Sequence, residues 1–380
     1  MRKILALSVG RSDYDRYYPI LKGLNNSKEV NLYLYLTISH QDFKFGKTEN
    51  FIKKKFKIIK KKYLKKDFNK NISFNFINDL AFFIKKIDTI KPDLIIVLGD
   101  RYEMLIGPIA AIPKNIPVLH LYGGAVTEGA TDDLVRHAIT KMSHYHLAVL
   151  KDYKKRILQL GEEEWRTKVI GLHELNNKKK IKVFSKNYLS KKFKFDFSKP
   201  FCLTTFHPVT LELKKIKLQL RNLISTFRSL DQNIIITYPN ADPQHDKIIK
   251  EFKQAFVDKK KYLFIKNFGM QSYISVLSHC EFMIGNSSSG VVESGSFKKP
   301  AINIGTRQDG KFKPLNVIDS GYNKFHILKS INKAKSKHFR EKIKKMKNPY
   351  ESKINLQKVL NYIINLKLND KLLKKKFINH

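Results

Sequence analysis

At 380 residues the chain is long for a single hydrophobic core and suits two domains of ordinary size. Hydrophobic residues make up 42% of it in short, regularly spaced runs, which excludes a disordered chain, and no run reaches membrane-spanning length. Lysine and arginine total 74 against 33 aspartate and glutamate, and the net charge of +41 raises nucleic acid, an anionic membrane surface or an acidic substrate as partners to be tested against the pattern.

The amino terminus runs directly into a strand-like segment, Lys3–Ser8, with no separate apolar leader and cleavage site. Further strands are expected at Val30–Thr37, Leu94–Leu98, Pro117–Leu121, His146–Leu150 and Lys168–Ile170. Helical spacing marks Tyr14–Leu24, Leu80–Ile87, Tyr102–Ile112, Asp132–Met142 and Tyr153–Leu160. A continuous apolar run such as Leu94-Ile95-Ile96-Val97-Leu98 needs cover on both faces, the mark of a parallel, doubly wound sheet. From Asn176 to Pro200 the composition turns to Lys, Asn, Ser and Phe, a boundary signal. The alternation then restarts with strands at Phe201–Phe206, Asn233–Tyr238, Tyr262–Ile265, Glu281–Ile284 and Pro300–Ile304. Helices are expected at Leu211–Phe227, His245–Phe256, Met270–His279 and Ser289–Phe297. The reading is therefore α/β, with a Rossmann-like domain over 1–195 and a second over 196–335. A Lys-rich helical tail over 336–380 is expected to include a segment packing back on the first domain.

Lysines are spread through nearly every polar segment, as in Lys53-Lys54-Lys55 and Lys374-Lys375-Lys376, whereas arginine is sparse and sits mainly in motifs. That distribution reads as solvated surface rather than a nucleic-acid face, and there is no integral membrane segment. The positive field can still draw an anionic substrate toward a cleft. Cys202 and Cys280 are the two cysteines, too few for a disulfide scaffold, and fit a reducing, cytoplasmic setting. His40, His120, His137 and His207 share no short metal-ligand spacing, so no metal is expected.

In open α/β sheets ligands bind beyond the carboxyl ends of the strands, and the polar motifs fall there. In the first half they are Gly10-Arg11-Ser12-Asp13-Tyr14, Ser39-His40, Gly99-Asp100-Arg101 and His120-Leu121-Tyr122-Gly123-Gly124, with Glu128 and Asp132-Asp133 beyond. In the second half they are His207-Pro208-Val209-Thr210, Tyr238-Pro239-Asn240-Ala241-Asp242, Gly285-Asn286-Ser287-Ser288-Ser289-Gly290 and Gly305-Thr306-Arg307-Gln308-Asp309-Gly310. Two such rims facing one another would form an interdomain cleft. Asp100 follows a fully apolar strand and is either a catalytic carboxylate or a helix cap. Asp132 and Asp133, with Arg136 and His137, crowd four ionisable groups into one helical turn, as a proton-transfer site or an anion site would. Gly285–Gly290 suits either a phosphate cradle or ordinary helix capping. Glu293, further along that helix, is either a ribose contact or a surface carboxylate.

Taken together, these motifs resemble the bacterial hydrolysing UDP-N-acetylglucosamine 2-epimerase family. The likeness runs in order through Gly10–Tyr14, Gly99-Asp100-Arg101, Gly123-Gly124, Thr127-Glu128-Gly129-Ala130, Asp132-Asp133 and Arg136–Met142. It continues through His207–Thr210, Tyr238-Pro239-Asn240, Gly285–Ser288 and Gly305–Gln308. The resemblance implies a glycosyltransferase-B-like pair of domains with the active site in the interdomain cleft, a homodimer or larger homo-oligomer, and no redox cofactor. It also implies a nucleotide-diphosphate-linked 2-acetamido sugar as substrate, anti-elimination to a glycal, then hydration to the free 2-epimeric sugar of a sialic or legionaminic acid type of surface-sugar pathway.

By motif, Asp100 and Asp132 match carboxylates of proton transfer, and His207 matches a histidine near the leaving phosphate. Arg11, Asn286, Ser287, Ser288 and Glu293 match nucleotide-binding positions, with Glu293 at the ribose, and Arg307 and Gly310 lie in a loop that approaches the nucleotide. One departure stands out. Many members carry a catalytic glutamate two residues after the histidine matching His120, where this chain has Tyr122; others carry it after the paired glycines, where this chain has Ala125. Glu128 or Tyr122 is the expected substitute. The residues leave open a non-hydrolysing epimerase, a glycosyltransferase, or a catalytically weak relative that binds nucleotide sugar.

Overall fold

A computed structural model describes residues 1–41, 48–64, 71–128, 131–239 and 243–379, with Arg11 and Ser12 described in the backbone alone. Gly129, Ala130, Asn240, Ala241, Asp242 and the Arg11 side chain therefore lie outside the described residues. The chain divides into two compact units, Met1–Ala125, Asp132–Glu174 and Tyr350–His380 in unit 1, and Val126–Thr131 and Leu175–Pro349 in unit 2.

Unit 1 carries β1 (Arg2–Ser8), β2 (Val30–Leu36), β3 (Ile58–Lys60), β4 (Leu94–Leu98), β5 (Val118–Leu121), β6 (Tyr145–Ala148) and β7 (Thr167–Val169). They form a parallel sheet in the order β3-β2-β1-β4-β5-β6-β7. All five side chains of β4 are buried, as an apolar run covered on both faces requires. The short edge strand β3 lies in a lysine-rich stretch and is only half-buried, so neither apolar alternation nor length marks it in the sequence.

Unit 2 carries β8 (Phe201–Thr205), β9 (Asn233–Thr237), β10 (Tyr262–Ile265), β11 (Met283–Gly285), β12 (Ala301–Ile304) and β13 (Val317–Ser320), in the parallel order β10-β9-β8-β11-β12-β13. Alternate residues feed two cores. Cys202, Ile234, Ile236, Ile284 and Ile302 pack with Leu220, Leu223 and Phe227, while Phe201, Leu203, Ile235 and Met283 pack with Leu189, Val276 and Leu277. Both sheets thus follow the Rossmann order, and each has its topological switch point beside its first strand, between β1 and β4 and between β8 and β11.

Two differences from the sequence reading concern boundaries. The chain passes into unit 2 at Leu175, well before 196, because helix Lys186–Phe193 contributes Leu189 to the second core. Of the tail, helix Lys337–Lys344 stays in unit 2 through Phe339 and Ile343, and the segment from Tyr350 belongs to unit 1. There helix Leu356–Ile364 packs on helix Arg11–Asn25, and Arg2 donates to the carbonyls of Ile363 and Leu366 at 2.9 and 2.8 Å. The single helix expected at Leu211–Phe227 begins instead as a tighter turn, Thr210–Lys215, followed by Ile216–Arg228. Glu212 breaks the helix, its carboxylate accepting from Gln219 and Thr306 at 2.8 and 2.7 Å.

Candidate active site

In unit 1 the polar residues gather beyond the carboxyl ends of β1, β4 and β5. Asp100 follows β4 and is ion-paired with Arg136, whose side chain is 1% exposed on helix Asp132–Met142. The same guanidinium donates to Asp133 at 3.0 Å and to the Ala125 carbonyl at 2.8 Å. Burial alone would weaken the Arg136 charge, but Asp100, Asp133 and Asp132 outweigh it and hold its pKa above the ordinary value. Asp132 and Asp133 open the helix, where its amino-terminal dipole favours negative charge. The four ionisable residues of that turn are thus organised around one buried arginine.

His120 sits on β5, the strand paired with β4. Its Nε2 donates to the Gly99 carbonyl at 2.8 Å and its Nδ1 lies 3.1 Å from the Thr140 hydroxyl. Burial pulls its pKa down to about 3, so the ring is neutral and acts as a brace for the loop that presents Asp100. His40 has a similar structural place, with Nε2 3.0 Å from the Ser8 hydroxyl and Nδ1 2.7 Å from Thr48, and burial lowers it to about 4.

Tyr122 follows β5 in the left-handed backbone region, φ 66°, a strained place for a bulky side chain. Its phenol is buried beside Glu174, Tyr17 and Arg16, and burial followed by Glu174 pushes its pKa well above 10. The shift runs opposite to what proton abstraction by a phenol would need. Ala125 is buried, and its carbonyl serves Arg136. Glu128 belongs to unit 2, exposed, with its N–H donating to the Asp309 carbonyl at 3.0 Å.

A carboxyl the sequence reading did not single out is Asp13, in the first turn of helix Arg11–Asn25. Burial is the main cause of its pKa rising to about 7; Arg101 and Arg16 oppose the rise, and Asp100 and Glu103 add to it. Asp13 stands in a motif quoted for its arginine. Only the adjacency of β1 and β4 brings it beside Asp100, and nothing in the local spacing signals that.

In unit 2 the switch point is closed around Asn286. Its backbone N–H donates to Thr205, its side chain is engaged by His207, and its carbonyl accepts from Arg307 at 3.2 Å and Gln308 at 2.9 Å. Asn286 is therefore an organiser of the loops, with its polar groups turned to protein. Gly285 at φ 141° lets β11 pass the Thr205 carbonyl, which an added Cβ would meet at 2.2 Å. Gly310, at φ 77°, is similarly fixed, since a Cβ would meet Val126 at 2.2 Å.

His207 is buried, and burial with the nearby Arg307 and Lys311 cations pushes its pKa well below the usual value, so it is a neutral donor or acceptor. Ser287 caps the short helix Ser288–Val292, its hydroxyl accepting from Ser289 at 3.3 Å. Ser287, Ser288 and Arg307 are all half-exposed. Glu293 is ion-paired with Lys178 and accepts from the Ser289 hydroxyl at 2.5 Å, and Tyr273 bonds that same hydroxyl. Lys178, in helix His173–Lys179, belongs to a run of three lysines that reads in the sequence as solvated surface, whereas the structure buries it against Glu293.

The sequence profile of the family described as UDP-N-acetylglucosamine 2-epimerase matches residues 22–364. A GDP/UDP-N,N'-diacetylbacillosamine 2-epimerase (hydrolyzing) of Campylobacter jejuni is 37% identical over 90% of this chain and 89% of its own. A UDP-N,N'-diacetylbacillosamine 2-epimerase (hydrolyzing) of Legionella pneumophila is 34% identical over 89% of this chain and 90% of its own. In fold, the crystal structure of UDP-GlcNAc 2-epimerase from Neisseria meningitidis bound to UDP-GlcNAc superposes with a TM-score of 0.78 at 17% identity, covering 96% of this chain and 98% of that one.

Proposed function

The chain belongs to the UDP-N-acetylglucosamine 2-epimerase family, and on that footing we propose that it is a hydrolysing 2-epimerase of a UDP- or GDP-linked 2-acetamido sugar. It is an enzyme of nucleotide-linked acetamido sugars, with two Rossmann-like α/β units of the glycosyltransferase-B-like class. The observation that carries the reading is the pairing of Asp100, at the switch point of the first sheet, with the buried Arg136. A base for the weakly acidic C2 proton must be ionised and held in one place. Arg136, itself fixed by Asp133 and the Ala125 carbonyl, does both for Asp100.

In this account Asp100 takes the C2 proton, the C2–H electrons form the C1–C2 double bond, and the C1–O bond breaks with its electrons leaving on the diphosphate. Asp132 lies near Arg136 and adds to the negative field that keeps the guanidinium charged. In unit 2, Ser287, Ser288 and Arg307 receive the diphosphate, whose charge grows as the bond breaks, and the neutral His207 donates to it. Glu293 takes the ribose hydroxyls. Arg11 and Gly310 belong to the same nucleotide contacts by motif. Water then adds at C1 and a proton returns to C2 on the other face. Tyr122, protonated and buried beside Glu174, supports the loop after β5 rather than acting as a base, and Glu128, exposed, serves as a hydrogen-bonding group to the sugar.

The relatives acting on diacetylbacillosamine favour a substrate with a second acetamido group, in a pathway to sialic-acid-like surface sugars. A homo-oligomer in the cytoplasm completes the proposal, the latter supported by two free, buried cysteines. No helix among the described residues is long and apolar enough to cross a membrane. The test is a panel of UDP-, GDP- and CDP-linked 2-acetamido sugars. Release of nucleoside diphosphate with a free 2-epimeric sugar supports the reading, and epimerisation with the nucleotide retained, or transfer to an acceptor, contradicts it.

A further inference from the structure

The carboxyl ends of β1 and β4 lie side by side, and the segments that follow them assemble a cluster of charged groups at one switch point. From helix Arg11–Asn25 come Asp13 and, one turn on, Arg16; from the segment after β4 come Asp100, Arg101 and the buried Glu103, which pairs with Arg101 at 3.4 Å. The two aspartates of the cluster stand in opposite conditions. Asp100 has a buried arginine on its carboxylate. Among the described residues the cations facing Asp13 are Arg101 and Arg16, offset by Asp100 and Glu103 and outweighed by burial, and Asp13 holds its proton up to about pH 7.

Inverting a carbon by elimination and re-addition needs an empty base for the first half and a loaded acid for the second. Neighbouring titratable groups whose surroundings drive them apart are the usual way a site provides both. We propose that Asp13 is the loaded partner of Asp100 and returns the proton to C2 when water adds to the unsaturated sugar. This rests on the 2-epimerase reading above.

Asp100 gains the original C2 proton as the diphosphate leaves with the C1–O electrons. The Asp13 O–H bond then breaks toward C2, the double-bond electrons form the new C2–H bond, and water oxygen bonds to C1. The proton lost by that water reloads Asp13. Asp100 passes its proton to solvent, which matches the extra negative charge of the released diphosphate.

The experiment uses the full chain and the nucleotide sugar that wild type turns over, in deuterated water. Asp13→Asn keeps the size and loses the acid. The first turnover should still release nucleotide, while the free 2-epimer falls about 100-fold and the unsaturated sugar accumulates. Asp13→Glu should recover part of the hydration. In wild type, the hydration step should decline as pH rises through about 7, the range in which Asp13 loses its proton, and Asp13→Asn should lack that decline. An Asp13→Asn enzyme that makes the free epimer at the wild-type rate overturns the proposal. So does a wild-type hydration rate that is flat from about pH 6 to 8, a measurement that stands even when the variant does not fold. A wild type that releases nucleotide from no sugar of the panel defeats the 2-epimerase reading instead.

Discussion

The carboxamide of Asn286 is closed against the backbone of His207: its Oδ1 accepts the His207 N–H at 2.6 Å and its Nδ2 donates to the His207 carbonyl at 2.8 Å. This reciprocal pair ties the loop after β11 to the loop after β8 at the switch point of the second sheet. Because the Asn286 carbonyl also takes Arg307 and Gln308, three loops share one residue.

Asn286→Asp retains the acceptor and removes the donor, leaving the His207 carbonyl facing a carboxylate. Loss of a buried hydrogen bond and repulsion at that carbonyl should cost about 1–3 kcal/mol of stability. Denaturant unfolding measures the cost, and binding of free nucleoside diphosphate should weaken with it. An unchanged midpoint and affinity would mean that the loops do not depend on this bond.

Arg136→Lys tests the support of Asp100. A guanidinium reaches Asp100, Asp133 and the Ala125 carbonyl at once, and a single ammonium cannot. The expected result is a lower kcat, by about 10-fold or more, with KM for the nucleotide sugar nearly unchanged, since the loss falls on a proton-transfer geometry. A rise in KM alone would move Arg136 to substrate binding.

Lys178 and Glu293 form a buried ion pair within unit 2. Lys178→Met leaves Glu293 with Ser289 as a neutral partner and exposes the carboxylate to the cost of burial. Nucleotide affinity measured by calorimetry should fall by roughly 10-fold, equivalent to about 1.4 kcal/mol. Lys178→Arg should keep more of it. Equal affinity in both variants would separate Glu293 from the ribose.

Much of this arrangement can be read along the chain. The apolar runs of β1, β4, β8 and β9 and the polar motifs after them specify parallel sheets with rims of charge, and Asp100, His207 and Gly285–Ser288 fall on those rims. What cannot be read is pairing between distant segments. Asp13 becomes interesting through Asp100, Lys178 through Glu293, and Asn286 through His207. β3 and β13 are short edge strands with half-buried faces and too weak an apolar signal.

Glu162 is fully buried, with Lys375 at 2.8 Å, Lys141 at 3.0 Å and His146 at 3.1 Å. Burial would raise its carboxyl, but His146 and Lys375 outweigh that and hold it at about 2, against 4.5 unperturbed. A depressed carboxylate stabilises the fold above its unfolded value and loses that contribution as pH falls toward the folded one. Thermal unfolding should therefore weaken between about pH 4.5 and 2, by roughly 2 kcal/mol, and Glu162→Gln should flatten that slope. An unaltered slope in the variant would assign the acid sensitivity elsewhere.

The measurement that bears most directly on the central claim is the isotope content at C2 of the sugar made in deuterated water. The expected product is free 2-epimeric sugar with one deuterium at C2, formed together with one equivalent of nucleoside diphosphate, and both are lost in Asp100→Asn. Free sugar that keeps its original C2 hydrogen, or labelled product formed undiminished by Asp100→Asn, would contradict it.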